Sequence, residues 1–340
     1  MIVTITLNTA LGVFYQARQV AWDATNQVSG VRYQAAGRGV AVARVLHTFG
    51  HEVIAAGLAG GSAGEMIRAD LARSGIPADF TAIGRESRRL LEVRDGANGR
   101  RLRFSEPGPY ITTEELGRFA ADYRRWLAGA TAVVLCGSLP AGMPPEIYAT
   151  LATYADDAGV PVVLDAGGPA LQQAAARRPA LVIPDPGGLP GDPCAPGNPD
   201  MPGGLDMPGD PGAPGNPDVP GGLDMPGDPD VPGGPGSRAG PDPRALVAAG
   251  AGAVALLSGD AVRAVTAAGQ WQATLPARSG PCWPRDVLVA GLVPGVLLGW
   301  SWQDRLRHAV ALGASASAEG EVDLAAYERL VGEVRVDPPG

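Results

Sequence analysis

The sequence predicts an α/β protein with a mostly parallel central sheet that is covered by helices on both faces. Strand-like and helix-like segments alternate along most of the 340 residues, as they do in sheets built from crossover connections. The predicted strands, such as 131–138 and 160–166, are apolar and rich in valine, which is typical of strands buried on both faces. Glycine-rich turns follow several of them, at the sheet edge where ligands bind in such folds.

Local patterns assign the elements of this main domain in chain order. Short apolar runs rich in β-branched residues predict strands, and longer runs with helical periodicity, bounded by Gly or Pro, predict helices. After the insert described below, strand and helix patterns continue from 244. The predicted elements are strands at 1–7, 51–61, 131–138, 160–166, 181–185, 253–259 and 261–267, and helices at 37–50, 62–75, 113–130, 144–159, 168–179 and from 286 onward.

Two polar, alternating stretches do not fit the main sheet. They lie at about 10–36 and about 87–105, and the second contains a Gly/Asn turn that is typical of a hairpin. Alternation of polar and apolar residues indicates strands with one solvated face. We therefore expect exposed, antiparallel strands that form a small separate β-lid.

An insert, residues 185–242, divides the main domain into 1–184 and 243–335. From residue 190 to residue 237 it consists of eight hexads that each begin with Pro-Gly. Glycine recurs too rarely for a collagen helix, and the apolar content is too low to build a core. We expect a disordered loop without function, in preference to a tract that binds calcium or a partner protein.

The charge distribution argues against a nucleic-acid partner. The formal net charge is −8, and the insert accounts for it, because its ten Asp and one Arg sum to −9 and leave the rest near +1. No clustered basic face is evident. Neither the cysteines nor the histidines have the spacing of a disulfide framework or a metal site; they are Cys136, Cys194, Cys282, His47, His51 and His308.

The sequence also predicts a cytoplasmic protein. The N-terminus begins directly as a strand and lacks the pattern of a signal peptide. The longest apolar runs are too short, or too interrupted by Gly and Pro, to span a membrane.

Three short stretches are candidates for chemistry. Trp-Pro-Arg-Asp at 283–286 opens an apolar helix, with Pro284 expected in its first turn, so that Asp286 is either a helix-capping acid or a catalytic base. The runs 37–39 and 136–142 offer small residues and free N–H groups suited to a phosphate. The run 57–64 is rich in glycine, but its spacing is not that of a dinucleotide-binding turn, which makes an oxidoreductase the weakest hypothesis.

In order, these stretches resemble the ribokinase-like (PfkB) carbohydrate kinases, in the branch of 1-phosphofructokinase and tagatose-6-phosphate kinase. The resemblance covers nearly the whole chain except the insert. It implies a ribokinase-like fold, ATP-dependent phosphorylation of a sugar phosphate with Mg²⁺, and a β-lid through which two chains form a homodimer. The matching stretches are TLNTALGVFY, AAGRGVAVARVL, GLAGG, ESRRLLEV, SEPGP, CGSLPAGMP, VVLDAGG, DVLVAGL, RLRHAVALGAS and EVDL.

The resemblance also implies roles for individual residues. Asp286 matches the family's catalytic base, and Arg285 beside it is a candidate cation for the transferring phosphoryl group. The nucleotide-binding candidates are Asp185, Ser258 and Gly259, and no protein ligand for a metal is predicted. The substrate-binding candidates are Asn8, Gly37, Arg38, Gly39, Arg88, Glu106, Gly137 and Ser138.

Several positions depart from the family pattern. Trp283, Pro284 and Arg285 replace the Gly-Ala-Gly whose N–H groups form the family's anion hole, and Pro284 has no N–H to donate. Gly12 and Ala41 stand where the family has Asp and Asn, and the family's metal-linked Glu is absent. These losses leave two main hypotheses, a working kinase that is weak or altered in substrate, and an impaired pseudokinase that binds a phosphorylated metabolite.

Overall fold

A ten-stranded sheet forms the centre of the protein. The computed structural model describes residues 1–185, 242–258, 261–275, 283–317 and 320–337. In spatial order the strands are β14 (Arg335–Asp337), β13 (Gly269–Thr274), β12 (Ala261–Thr266), β11 (Val254–Ser258), β10 (Leu181–Pro184), β9 (Val162–Ala166), β8 (Ala132–Cys136), β1 (Ile2–Thr6), β4 (Val53–Gly60) and β5 (Ala78–Ile83).

The sheet is parallel from β11 to β5, and β12, β13 and β14 extend it as an antiparallel edge. The four central parallel strands, β1, β8, β9 and β10, are buried along their whole length, which explains their continuous apolar sequences. All the parallel strands end at one edge of the sheet, so the turns after β1, β8, β9 and β10 lie side by side.

Helices cover both faces of the sheet and bury a separate apolar cluster on each. One cluster includes residues of α1 (Arg38–Thr48), α2 (Gly61–Arg73), α7 (Arg285–Leu297) and α8 (Trp302–Ser315). The other includes residues of α3 (Thr113–Leu127), α4 (Ile147–Asp157), α5 (Gly168–Ala175) and α6 (Pro243–Ala249), while α9 (Leu324–Leu330) packs on α8. The predicted α/β class with helices on both faces is confirmed. Within the described ranges, no helix has the length and apolar composition needed to cross a bilayer.

Helix α7 carries the Trp-Pro-Arg-Asp stretch at its start. Pro284 is the N-cap of this helix, one position earlier than the first turn that its sequence suggested. Residues Val287–Gly295 are all buried, because α7 packs between α1 and α8. Gly291 permits the close packing of these two helices, since a β-carbon there would lie 2.7 Å from Cα of Ala309.

A second sheet of four strands stands over one end of the main sheet. Its order is β3 (Val28–Ala36), β2 (Ala10–Ala17), β6 (Arg88–Asp95) and β7 (Arg101–Ser105). The pairs β2–β3 and β6–β7 are antiparallel, and β2 pairs in parallel with β6. The expectation that these strands are exposed is wrong for the first half of β2, where Leu11 and Val13 are buried because α2 packs against β2 and β3.

The Pro-Gly hexads, which the sequence predicts to be disordered, lie outside the described residues. Of the predicted insert 185–242, only its two end residues are described. Asp185 follows β10, and the side chain of Asp242 caps α6 by accepting a hydrogen bond of 3.0 Å from the N–H of Arg244.

Candidate active site

A cleft of about 790 Å³ separates the four-stranded sheet from the start of α1 and the start of α7. Its floor is formed where β1 and β8 end, by Asn8, Gly137 and Ser138, and its walls come from the small sheet and from the two helices. Both helices thus begin at the cleft, which places the positive ends of their dipoles beside it.

The structure gathers many of the residues singled out in the sequence around this cleft, and leaves others outside it. The candidates that line the cleft are Asn8, Gly37, Arg38, Arg88, Gly137, Ser138 and Asp286. Gly39 lies behind the wall, where a β-carbon would meet Oγ1 of Thr6 at 2.5 Å. Glu106 accepts a 2.7 Å hydrogen bond from the N–H of Arg89, and Ser258 donates to the carbonyl of Ala261 at 2.9 Å.

The nucleotide-side candidates follow neighbouring strands. Asp185 comes directly after β10, and Ser258 is the last residue of β11, so both lie at the same edge of the sheet as the cleft floor. The third candidate of this group, Gly259, lies outside the described residues.

Asp286 is the titratable group that distinguishes the cleft. Its side chain lines the cleft from the second position of α7. Burial of the carboxylate, reinforced by the negative charge of Asp165, raises the pKa of Asp286 to about 7, although Arg38 and Arg285 act in the opposite direction. A carboxylate with such a pKa can accept a proton at neutral pH, which is the property required of a general base.

Arg285 points away from the cleft and is held by four hydrogen bonds. Its guanidinium donates to Oδ1 of Asp165 at 2.7 and 3.1 Å, and to the carbonyls of Ile183 and Pro184 at 3.0 and 2.9 Å. These contacts tie the first residue of α7 to the ends of β9 and β10. Arg285 is therefore placed to position the helix and Asp286 rather than to contact a bound phosphoryl group.

Arg38 is the cation that connects the cleft to the same carboxylates. Its guanidinium lies 2.5 Å from Oδ2 of Asp185 and 3.5 Å from Oδ1 of Asp165. Burial lowers the pKa of Arg38, but the charges of Asp165 and Asp185 outweigh burial and raise it above its ordinary value. Arg38 therefore stays charged, and its first-turn position in α1 keeps that charge within reach of the cleft.

The opposite end of the floor is suited to an anion. Arg88 donates to the carbonyl of Asn8 at 3.2 Å and to Oγ of Ser105 at 2.9 Å, and within the described part of the chain it has no carboxylate partner. Nearby, Oγ1 of Thr6 and Oδ1 of Asn8 are buried and have no hydrogen-bond partner among the residues that the structure describes. An unpaired arginine beside unsatisfied polar atoms is the arrangement expected where a polar ligand completes the site.

The start of α7 offers backbone donors, but fewer than a glycine-rich turn would. Pro284 has no N–H, and the N–H groups of Val287 and Leu288 both bond to its carbonyl. Among the described residues no acceptor is found for the N–H groups of Arg285 and Asp286. Two donors at a helix N-terminus remain for an anion.

The carboxylates around Asp286 do not fit a site for a resident magnesium ion. Across the described ranges, no three His, Cys, Asp or Glu side chains converge in a way that could hold a metal. Arg285 and Arg38 both bind Oδ1 of Asp165, and Arg38 binds Oδ2 of Asp185, so these two oxygens are not available to a metal, whereas Oδ2 of Asp165 has no partner among the described residues. We therefore derive no step from a metal held by the protein.

The sequence analysis missed several residues of the cleft wall. Phe14 and Leu90 on the small sheet and Val45 on α1 line the cleft between its floor and its rim. A signal for Phe14 was present, because it alternates with Gly12 and so shares its face of β2. Nothing in the local sequence shows that α1 faces this strand.

Comparison with known proteins agrees with this architecture. The model of the pfkB family carbohydrate kinases matches residues 7–185, which is more than half of the chain. The fold is similar to that of a protein from Staphylococcus aureus described as a phosphofructokinase, with 23% identity, full coverage of both chains and a TM-score of 0.71.

Two further solved structures are similar over nearly their whole length. A protein from Thermotoga maritima described as a 1-phosphofructokinase has 20% identity, 99% coverage of both chains and a TM-score of 0.72. The tetrameric inhibited form of phosphofructokinase-2 from Escherichia coli has 21% identity, covers 97% of this chain and 98% of its own, and has a TM-score of 0.75. At these identities the likeness shows a shared fold.

Proposed function

Because the chain belongs to the pfkB family of carbohydrate kinases, we propose that it transfers the γ-phosphoryl group of ATP to a hydroxyl of a sugar phosphate, with Asp286 as the base. The observation that carries this proposal is the position of Asp286. It lies at a helix N-terminus, faces a cleft with unpaired anion-binding groups, and has a pKa of about 7.

The proposed reaction follows from this geometry. The acceptor hydroxyl loses its proton to the Asp286 carboxylate while its oxygen forms a bond to the γ-phosphorus, and the bond between that phosphorus and the bridging oxygen of ADP breaks. The N–H groups of Arg285 and Asp286 and the charge of Arg38 are available to stabilise the negative charge on the transferring group. Magnesium enters the proposal only as the ion that ATP carries in solution.

The rest of the cleft supplies binding and orientation. Arg88, Asn8 and Ser138 would hold the phosphate that the acceptor already bears, since Arg88 has donor groups to spare. The nucleotide would lie on the side of Asp185 and Ser258, beyond β10 and β11. This arrangement puts the reacting hydroxyl between the two phosphates, next to Asp286.

The test is ADP release from ATP and magnesium with a panel of sugar phosphates, measured for the native chain and for Asp286→Asn. Asp304→Asn is the matched control, because Asp304 is also an acid in the first turn of a helix but lies on the exposed surface at α8. We expect release that depends on one sugar phosphate, survives in the control and is lost in Asp286→Asn. Equal release by the native chain and Asp286→Asn would contradict the role of Asp286.

The same experiment separates the kinase from a protein that only binds. If no ADP is released while a sugar phosphate still raises the melting temperature, the cleft holds the metabolite without transferring phosphate. If sugar phosphates neither raise the melting temperature nor support release, a sugar phosphate as the acceptor is refuted.

We also propose that two chains associate through the small sheet. Strand β3 is an edge strand of that sheet, and its residues Val28, Val31 and Tyr33 are exposed apolar side chains. Edge strands with exposed apolar residues are favourable surfaces for pairing with another chain.

A further inference from the structure

The lining of the cleft is polar at its floor and apolar on its walls, and Phe14 shapes the space between them. This ring lies over Gly12 on the cleft face of β2, because a β-carbon at Gly12 would come within 2.7 Å of Cε2 of Phe14. Phe14 therefore occupies the space that a side chain at residue 12 would need. Arg32 on β3 lies 4.6 Å from the ring centroid and holds the ring in place.

The walls around Phe14 are apolar as well. Leu90 pairs with Gly12 across the small sheet, and Ala41 and Val45 lie on the same face of α1 as Arg38, one and two turns further on. Val287 of α7 completes the lining on the side of Asp286. The cleft beside Asp286 thus has an apolar wall, while the charge of Arg38 also acts on Asp286.

Most hydrogen-bonding groups of the polar side chains near this region are already engaged, although Nε of Arg44 is buried without a partner among the described residues. Oε1 of Gln34 accepts a 2.8 Å hydrogen bond from Arg32. Arg103 donates to Glu92 at 2.7 Å, and Arg44 is paired with Asp70. Groups bound to one another in this way are poorly available to a ligand. A ligand hydroxyl placed against Phe14, Leu90 and Val45 would lose its water without gaining a partner from these side chains, which is unfavourable.

The floor differs sharply from these walls. There Arg88 has no carboxylate partner among the described residues, and Oγ1 of Thr6 and Oδ1 of Asn8 are buried and unsatisfied. The cleft therefore combines an anion-binding end, an apolar middle and one base. A volume of about 790 Å³ leaves room for a substantial apolar group beside a phosphate.

We propose that the acceptor is a hydroxyl-poor phosphate monoester, whose carbon skeleton is apolar or aromatic next to the reacting hydroxyl. Its phosphate binds at Arg88 and Asn8, its apolar body lies against Phe14, Ala41 and Val45, and its single primary hydroxyl reaches Asp286. This inference rests on the proposed phosphoryl transfer by Asp286 and replaces the sugar skeleton of the acceptor by an apolar one.

The test compares the binding of two probes by calorimetry in the absence of ATP. One probe is fructose 1-phosphate. The other is 4-(hydroxymethyl)phenyl phosphate, which carries a phosphate and a primary hydroxyl at opposite ends of an aromatic ring. We expect the aryl probe to bind roughly ten-fold more tightly, because its ring buries apolar area against the walls and leaves no hydroxyl without a partner.

Four variants test which residues cause the preference for the aryl probe. Phe14→Ala should remove most of the preference for the aryl probe, whereas Phe14→Leu should retain it, because leucine keeps an apolar surface. Arg88→Gln should weaken the binding of both probes to the same extent. The matched control is Tyr154→Ala, because Tyr154 is also half-buried beneath an arginine, with Arg124 4.0 Å from its ring, but lies on α4 across the sheet. It should change neither affinity.

The outcomes distinguish this inference from the function on which it rests. If fructose 1-phosphate binds as tightly as the aryl probe, or if Phe14→Ala leaves the preference intact, the inference is wrong while the proposed kinase can still stand through its ADP release. If neither probe binds the native chain, the inference is wrong, and the proposed function is judged separately by ADP release with the panel of sugar phosphates. If the aryl probe binds as expected but no acceptor supports ADP release, the class of ligand is supported and phosphoryl transfer is not.

Discussion

Asp286 and Arg285 are neighbours in the chain with opposite surroundings. Asp286 faces the cleft, where burial raises its pKa to about 7. Arg285 turns toward Asp165 and two strand-end carbonyls. One residue is kept reactive, and the other fixes the start of the helix on which it stands. At the start of α7, Trp-Pro-Arg-Asp thus provides an ionic anchor through Arg285, while Pro284 supplies no backbone donor.

The pH dependence of the proposed reaction follows from this pair. A base acts only when it is deprotonated, so kcat/KM should rise with pH and level off above about 7. Arg285 lowers the pKa of Asp286 through its positive charge, and Arg38 does the same, while Asp165 and Asp185 raise it. Arg285→Gln should therefore move the rising limb of the profile to higher pH, on the order of one unit.

The measurement is the pH profile of kcat/KM for ADP release with the best acceptor. Arg305→Gln serves as the control, since Arg305 is a partly buried arginine that donates to the carbonyl of Trp300 and is remote from Asp286 in the fold. If the rising limb of the kcat/KM profile lies at the same pH in Arg285→Gln as in the native chain, Arg285 does not act on Asp286 through its charge.

At the scale of elements, the site depends on how closely α7 packs against α8. A β-carbon at Gly291 would lie 2.7 Å from Cα of Ala309 and 3.2 Å from its Cβ, so the backbones of the two helices approach there directly. Gly291→Ala should destabilise the protein by about 1–3 kcal/mol, because one helix must move away from the other.

A second helical glycine provides the comparison. A β-carbon at Gly117 in α3 would meet no atom within 4 Å, so Gly117→Ala should stabilise by about 0.5–1 kcal/mol through helix propensity alone. The free energy of unfolding in urea measures both changes. Equal effects of the two substitutions would show that α7 and α8 do not pack as closely as the structure indicates.

The imidazole of His308 is a titratable group at the junction of α1, α8 and α9. His308 of α8 lies between Phe49 at the end of α1, Trp300, and Tyr327 of α9, and its Nδ1 is 2.6 Å from the Tyr327 hydroxyl. Burial, with a smaller effect of His51, lowers the pKa of His308 to about 4 from an ordinary value of 6.5. The folded state therefore binds fewer protons than the unfolded state between these two values.

The sign of the effect on stability follows. The contribution of His308 is fully present above pH 6.5 and is lost progressively as the pH falls toward 4, by about 2 kcal/mol at pH 5. His308→Phe keeps the ring contacts and removes the titration, so its stability should fall less between pH 7.5 and pH 5 than that of the native chain. The measurement is the free energy of unfolding in urea at the two pH values. If the native chain and His308→Phe lose the same amount of it between pH 7.5 and pH 5, this role for His308 is ruled out.

For the whole molecule, the sequence predicts what depends on local pattern and misses what depends on distant partners. The alternation of strands and helices is clear because each strand, such as 132–136, is a continuous apolar run. The parallel pairing of β2 with β6 could not be predicted, because it joins segments about seventy residues apart through backbone bonds that leave no mark in either sequence.

The same distinction applies to the candidate site. Asn8, Ser138 and Asp286 could be selected because each stands in a recognisable turn or helix start, and the structure places all three at the cleft. The direction of Arg285 could not, because its partner Asp165 lies 120 residues earlier in the chain. Phe14 was not selected although it shares a face of β2 with Gly12, because nothing in the local sequence shows that this face borders the cleft.

The proposed association of two chains through the small sheet concerns the molecule as a whole. The exposed edge strand β3 presents backbone groups along its outer side together with Val31 and Tyr33, each 46% exposed. Pairing two such edges would extend the small sheet, bury these side chains and place a second chain beside each cleft.

We therefore expect sedimentation at micromolar concentration to show a species of twice the monomer mass. Val31→Glu should shift it to the monomer, because two like charges would then face each other across the twofold interface. Leu298→Glu, at an exposed apolar position after α7, should leave the dimer intact. Dissociation by both substitutions, or by neither, would place the interface elsewhere.

If the clefts are coupled through the shared sheet, the monomeric variant should also bind the acceptor more weakly, since Phe14 and Arg88 are carried by the strands that dimerisation would hold in place.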